Sequence, residues 1–278
     1  MKAIAVLLAL GLAACGPAKP ARESSDHPAI VSLNPCTDAI LAEIAGPQQL
    51  IAISHYSHAA SSSSMDVAAA RQFGSVGGTV EEVLALQPDV VVAGSFLAPA
   101  TRQALIDLNI RVETFGIAST VEDSKAQIEQ LAALAGRPAK GKALIRRIDL
   151  ALDAAAAEGD PLSAVLWQPS GIVPGEGALV SELMRRTGFA SHSAARGMKQ
   201  ADYYSLEQML ADPPAVLLIA GQEAAQKHPA LDRLNKTHLA EFDSGLLYCG
   251  GPTIIRAAQR LAEIRDIAAG RQQGEPGL

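Results

Sequence analysis

Short blocks of consecutive apolar residues alternate along this chain with stretches of helical period. Ala29–Leu33, Leu50–Ile53 and Val90–Ala93 are apolar at nearly every position, the segment from Ile110 to Phe115 reads as a fourth strand, and Pro, Gly or Asn stands close to most of them. A run without polar alternation suits a strand covered on both faces, as in a parallel sheet. Between the runs the sequence predicts helices: one capped by Thr37 or Asp38, reaching Ala45 and closed by Gly46-Pro47, and one over 101–109. The second half repeats the alternation. Ala164–Trp167, Val216–Ala220 and Leu246–Tyr248 read as strands, and Leu179–Thr187 and Ile254–Ala269 as helices. Strands alternating with helices in this way predict an α/β protein with parallel sheets.

From Thr120 to Glu158 the period changes. Val121, Ile128, Leu131, Leu134, Leu144, Ile148 and Leu152 recur at helical spacing among alanines and charges. Gly136-Arg137-Pro138 marks a kink, after which the helical pattern resumes. A rigid connector between two lobes accounts for the length and for the polar outer face. Domain boundaries follow: a lobe over 29–119, a connecting helix over 120–158, and a second lobe over 159–278.

The two lobes share a local echo. The segment from Thr79 through Val80–Leu86 to Pro88 and Val90–Gly94 aligns without gaps to that from Ser205 through Leu206–Asp212 to Pro214 and Val216–Ala220. Each is a hydroxyl cap, a short amphipathic helix, a proline break and a buried strand. Thr79 with Glu82, and Ser205 with Gln208, have the spacing of a capping box.

At 278 residues the chain is long enough for two such lobes, and 49% hydrophobic against 19% charged residues leaves no case for disorder. A net charge of −6 removes the basic face that nucleic-acid binding requires. Three cysteines exclude a disulfide framework. Cys36 and Cys249 could pair in an oxidising compartment, or each could be a small buried or cleft-wall residue.

The N-terminus reads as an address. Lys2 is followed by an apolar run from Ala3 to Leu12, about 15 Å as a helix and roughly half a bilayer core. A cleaved export signal over 1–14 fits this better than an anchor. Leu12-Ala13-Ala14-Cys15 resembles the lipobox of bacterial lipoproteins, which implies lipidation at Cys15 and a flexible tether over 15–28.

Val31-Ser32-Leu33-Asn34-Pro35-Cys36-Thr37-Asp38, the two Glu-containing helices of the echo and the mid-chain connector resemble a bacterial family: the cobalamin- and iron-siderophore-binding substrate-binding proteins of ABC importers. The resemblance spans Ala29 to Ile267. It implies two Rossmann-like α/β lobes joined by one long backbone helix, with the ligand in the cleft between them. It also implies a monomer, held to a membrane by the N-terminal lipid in the periplasm, that hands its ligand to an ABC permease and its ATPase. Glu81 and Glu207, one per lobe, match the glutamates that dock on the permease in that family. In the first turn of a capped helix a carboxylate is kept ionised and can accept an arginine.

Cargo contacts are sought among the scarce aromatics, 4% of the chain. Tyr56, Phe96, Trp167, Tyr203, Tyr204 and Tyr248 each fall at or just beyond the end of an expected strand, where open parallel sheets bind ligands. Phe73, Phe115, Phe189 and Phe242 need no role beyond packing. His55-Tyr56-Ser57-His58 places two imidazoles beside a phenol. His55 and His58 would be a polar cleft rim, a contact to a chelated metal, or part of a free-metal site. Ser61–Ser64 reads as a flexible loop over the cleft mouth. After Tyr248, the glycines Gly250 and Gly251 permit close backbone approach, and Arg256 in the helix that follows could reach an anionic group.

The expected function is capture of a metal chelate, cobalamin or a ferric siderophore, with heme or a free metal ion as the alternative cargo. An exported enzyme is the other class, but no nucleophile–base pair, paired carboxylates or metal triad stands out. No resident cofactor and no metal centre of the protein's own are expected.

Overall fold

The computed structural model describes residues 26–273. The segment expected to be an export signal, Cys15 expected as the lipidated residue, and most of the expected tether lie outside the described residues. Two parallel sheets organise the chain. The first contains β1 (Ile30–Ser32), β2 (Leu50–Ser54), β3 (Gly74–Val76), β4 (Val90–Gly94) and β5 (Arg111–Phe115) in the order β3-β2-β1-β4-β5. The second contains β6 (Leu162–Trp167), β7 (Phe189–Ser191), β8 (Val216–Ile219) and β9 (His238–Glu241) in the order β7-β6-β8-β9. Every pairing within the two sheets is parallel. The chain reverses its direction of winding between β1 and β4 in one sheet, and between β6 and β8 in the other. These are the places where such sheets leave a crevice at their carboxyl ends.

β3, β7 and β9 were not expected from sequence. β3 begins on Gly74 and is exposed at two of its three positions, and β9 is largely open along its edge. Neither forms an apolar block. The expected strand Leu246–Tyr248 is instead a 3₁₀ turn over Ser244–Leu246 followed by a bend. Leu246 and Leu247 are buried there by packing, without a ladder.

Helix α1 (Pro35–Ile44) is capped by Asn34 and not by Thr37 or Asp38: its Oδ1 accepts the Cys36 amide at 2.8 Å, and Pro35 fills the first helical position. After α2 (Val67–Ala70), the echoed helices are α3 (Val80–Leu86) and, in the second lobe, α8 (Leu206–Ala211). Both carry complete capping boxes, Thr79 with Glu82 and Ser205 with Gln208. α4 (Pro99–Asp107) precedes β5.

The expected connector over 120–158 is two helices. Gly136, left-handed at φ 65°, ends α5 (Val121–Leu134), and Pro138 opens α6 (Pro138–Ala155). α6 folds back on α5, and Gly141 lies so close to the Ala132 methyl that no larger residue fits. The punctuation is therefore a turn, and α6 alone joins the lobes. α7 (Leu179–Arg186) and the closing α9 (Thr253–Gln273) complete the second lobe. One apolar core runs from the first sheet through α5, α6 and α9 into the second, with smaller clusters on the far face of each sheet. Among the described residues no helix is long and apolar enough to cross a membrane.

Candidate functional site

The segments leaving β1 and β4 form the first wall. Asn34, Cys36 and Thr37 follow β1, Ser95 and Phe96 follow β4, and Phe115–Ala118 end β5; together with Tyr248 and Gly250 they line one pocket. None of its lining residues is charged. Tyr248 enters from the second lobe, from the bend just before α9, and its hydroxyl donates to Gln168 Oε1 at 2.7 Å. Gln168 directly follows β6. Beside it the 3₁₀ turn Pro169–Gly171 is held to the segment after β8, where Glu223 accepts the Ser170 amide at 2.6 Å. Tyr248 thus spans the winding-reversal points of both sheets.

Its place is fixed covalently. Cys36 and Cys249 form a disulfide that joins the start of α1 in one lobe to the residue after Tyr248 in the other. Around it the lobes interlock. The Gly251 amide donates to buried Ser124 Oγ at 2.7 Å, and Thr253 Oγ1 donates to the Ser64 carbonyl at 3.0 Å. The glycines of this segment do permit a close approach, but to Ser124 and Ile40 of the first lobe. Ser61–Ser64, expected as a flexible cover, is likewise pinned. Ser62 Oγ donates to the Tyr56 carbonyl and Ser64 Oγ to the Pro35 carbonyl, each at 2.8 Å, and Ser63 and Ser64 are buried.

Four aromatics stand open to solvent: Tyr56 (54% exposed), Phe96 (82%), Tyr203 (63%) and Tyr248 (62%). The structure brings Phe96 and Tyr248 into one pocket. Tyr56 lies in the 3₁₀ turn His55–His58 after β2, its ring 4.0 Å from that of His55. Tyr203 lies on the second lobe, paired with Ile172. Leaving such rings in water forgoes roughly 1.5–3 kcal/mol each. Three of the chain's four tyrosines are exposed in this way.

Trp167 and Tyr204 leave the candidate set. They are 1% and 2% exposed and form the core behind β6, where the Trp167 indole donates to the Tyr204 carbonyl at 2.8 Å. Trp167 is the last residue of its strand, and its side chain turns to the covered face. Tyr204 follows exposed Tyr203 and, by alternation, points inward. Arg256 is exposed but lines a separate groove with Glu43, Phe73 and Arg147, and its guanidinium donates to the Ser64 carbonyl. It ties the lobes together away from the aromatic pocket.

Of the histidines, His55 is exposed with Nδ1 3.3 Å from the Val76 carbonyl, whereas His58 buries Nε2 without a hydrogen-bond partner. Among the described residues no three His, Cys, Asp or Glu side chains gather as a metal site. Gln168 belongs to the segment Trp167-Gln168-Pro169-Ser170-Gly171, whose Gly/Pro-rich sequence suits a loop on the opposite wall. One group escaped the sequence reading: Asp38, read as a cap, is fully buried in the first turn of α1. Its Oδ2 accepts the Ser54 amide at 3.0 Å and the Ser57 hydroxyl at 2.7 Å, and burial pushes its carboxyl up to about 7.

Glu81 and Glu207 are both exposed in the first turns of α3 and α8. Glu82, not Glu81, completes the capping box of α3. The Glu207 carboxyl is held below the usual range, first by its own backbone N–H and then by the Ser205 hydroxyl.

Solved structures share this architecture. The periplasmic heme-binding protein RhuT from Roseiflexus sp. RS-1, in apo form, has a TM-score of 0.71 at 18% identity, over 87% of this chain and 98% of its own. The periplasmic vitamin B12-binding protein BtuF of Vibrio cholerae has a TM-score of 0.66 at 19% identity, over the same shares. The periplasmic heme-binding protein HutB of Vibrio cholerae scores 0.71 at 18% identity, over 85% and 98%. At these identities the likeness is one of fold. No curated protein matches the sequence. The family model described as periplasmic binding protein matches residues 30–241, more than half of the chain. With that match, the chain belongs to the periplasmic binding protein family, and is a binding protein rather than an enzyme.

Proposed function

We propose that this protein is the lipid-anchored periplasmic receptor of an ABC importer and that it captures a planar metal macrocycle between its lobes. The observation that carries the reading is Tyr248. One aromatic side chain lies over an uncharged pocket of the first lobe and hydrogen-bonds Gln168 of the second. A flat cargo needs wide apolar contact and a few polar fixing groups, which Phe96, Tyr203, Tyr248 and Gln168 offer. The heme-binding and vitamin B12-binding proteins that share the fold support this class of cargo.

Within the class, the exposed His55–Tyr56 pair favours heme. Imidazole and phenol oxygen are donors that heme iron accepts in its axial positions. Cobalamin asks less of such donors, because its cobalt is already ligated within the molecule. A ferric catecholate, strongly anionic, would meet no cation in the Tyr248 pocket. Export and lipidation rest on the N-terminal sequence, with Cys15 as the acylated residue, and delivery to the permease on Glu81 and Glu207. Titration of the purified full-length protein with hemin, cyanocobalamin and a ferric catecholate tests the cargo. Saturable one-to-one binding of hemin with a shifted Soret band is expected. Binding of none of the three by folded protein would overturn the reading.

A further inference from the structure

We propose that Asp38 is the positioning residue of the cargo site, holding the His55–Tyr56 pair in place from beneath by gripping the residues on both sides of it. The inference rests on the reading of that pair as cargo contacts. β2 ends at Ser54, and the chain turns at once into the 3₁₀ segment His55–His58. Such a short turn has few backbone bonds of its own: the Ala59 amide reaches the Tyr56 carbonyl at 3.3 Å, and the Tyr56 amide reaches Ser54 Oγ at 3.3 Å. Besides the Ser62 hydroxyl, which donates to the Tyr56 carbonyl at 2.8 Å, the shorter bonds that hold the segment from beneath go to a single acceptor. Asp38 Oδ2 takes the Ser54 amide before the pair and the Ser57 hydroxyl after it, at 3.0 and 2.7 Å. Asp38 and Ser57 are wholly buried, while His55 and Tyr56 between the gripped residues are exposed. A peg inside and two rings outside is the arrangement expected where exposed aromatic groups must be kept in one orientation without a ligand present.

The rest of the first turn of α1 makes this peg stiff. Asn34 caps it, Thr37 Oγ1 bonds the Asn34 carbonyl at 3.0 Å and meets Ser32 Oγ at 2.8 Å, and Cys36 is in the disulfide. The same turn therefore sets Tyr56 through Asp38 and Tyr248 through Cys36. A carboxylate in this place is not needed by the apolar core around it, and its burial opposes its own ionised form.

The test is hydrogen exchange by mass spectrometry on the full-length protein, combined with hemin titration. Asp38→Ala is expected to raise exchange across residues 54–58 by about tenfold or more, the scale of a lost buried hydrogen bond, with β1 and β4 unaltered. Asp38→Asn, which keeps an acceptor oxygen, should restore most of the protection. Ser57→Ala removes one bond only, and decides the matter should Asp38→Ala not fold. Hemin affinity should fall in the order of the exchange effects. Unchanged exchange at 54–58, or a rise spread evenly over the lobe, would overturn the proposal. So would a loosened 54–58 segment in a variant that binds hemin as the parent does. If the parent protein itself binds no hemin, the cargo reading fails, while the exchange series still decides whether Asp38 holds this segment.

Discussion

Tyr248 Oη lies 2.7 Å from Gln168 Oε1, a bond within the second lobe that holds the ring against the pocket of the first lobe. Tyr248 belongs to no regular element, since it stands in a bend and is largely exposed. Its position comes from Cys249 beside it and from Gln168 opposite. Tyr248→Phe keeps the ring and loses the bond, so hemin affinity should fall by about threefold to tenfold, the worth of one hydrogen bond. Tyr248→Ala also removes the apolar contact and should cost more than tenfold. Thermal stability should barely move in either variant, because little of the side chain is buried. A large loss of stability would show that the ring serves the fold and not the cargo.

The disulfide closes a loop of 213 residues and links lobes that otherwise communicate through α6 and the packing of α9. Chain-entropy arguments put such a closure at about 5 kcal/mol at most, and native disulfides commonly contribute about 2–5 kcal/mol. A dithiol reductant should therefore lower the unfolding midpoint of the parent protein. The Cys36→Ser, Cys249→Ser double variant should unfold at that lower midpoint with or without reductant. Equal midpoints for oxidised and reduced parent would show that the interlobe hydrogen bonds of Ser64 and Ser124 suffice by themselves.

The sequence made the sheets legible where strands are buried on both faces. Val90–Gly94 and Leu162–Trp167 are interior strands, without a polar residue save Ser163, whereas β3 and β9, at sheet edges, carry no comparable block. The capping boxes of α3 and α8 could be read in advance because every group involved lies within four residues. What could not be read is anything that depends on long-range packing. Whether an aromatic at an expected strand end is buried in the core, as Trp167 is, or stands exposed, as Tyr248 does, is decided by the neighbouring elements. The Ser61–Ser64 run has the composition of a loop, yet its partners Pro35, Thr253 and Arg256 lie far off in sequence. Gly136-Arg137-Pro138 showed a break without showing its angle, and a left-handed glycine made it a reversal.

Asp38 gives the protein a pH signature of definite sign. Its folded carboxyl titrates near 7 against 3.8 for an ordinary one, because burial disfavours the charge more than its hydroxyl and amide partners favour it. Between about pH 4 and 7 the folded state keeps a proton that the unfolded chain has released, so this residue makes stability fall as pH rises through that window. His192 acts in the opposite sense. Burial lowers its pKa, so the unfolded chain binds a proton that the folded state refuses, and stability falls as pH drops below the ordinary imidazole value. The two are separated by a difference curve: Asp38→Asn should gain stability relative to the parent steadily from pH 4 to pH 7.5, measured by urea unfolding. A flat difference would mean that Asp38 is ionised throughout.

The last prediction concerns delivery. α3 and α8 occupy matching places in the two lobes, each leading through a proline-containing break into the strand that pairs with the first strand of its sheet. Each exposes one first-turn glutamate beside a capping residue that is itself occupied, Glu82 in one lobe and Gln208 in the other. Glu81 takes no part in the capping box of α3, and Glu207 leaves the paired place in the box of α8 to Gln208, although its carboxyl also meets the Ser205 hydroxyl. A permease carrying two arginine clusters would meet an ionised carboxylate at each lobe, able to accept paired N–H donors. Glu81→Lys and Glu207→Lys should each reduce cargo uptake in cells or proteoliposomes by tenfold or more, and the double variant should abolish it. Hemin affinity in solution should stay within twofold of the parent, because neither side chain lines the Tyr248 pocket. Lost hemin binding together with unaltered permease affinity would place these glutamates in the cargo site and remove them from docking.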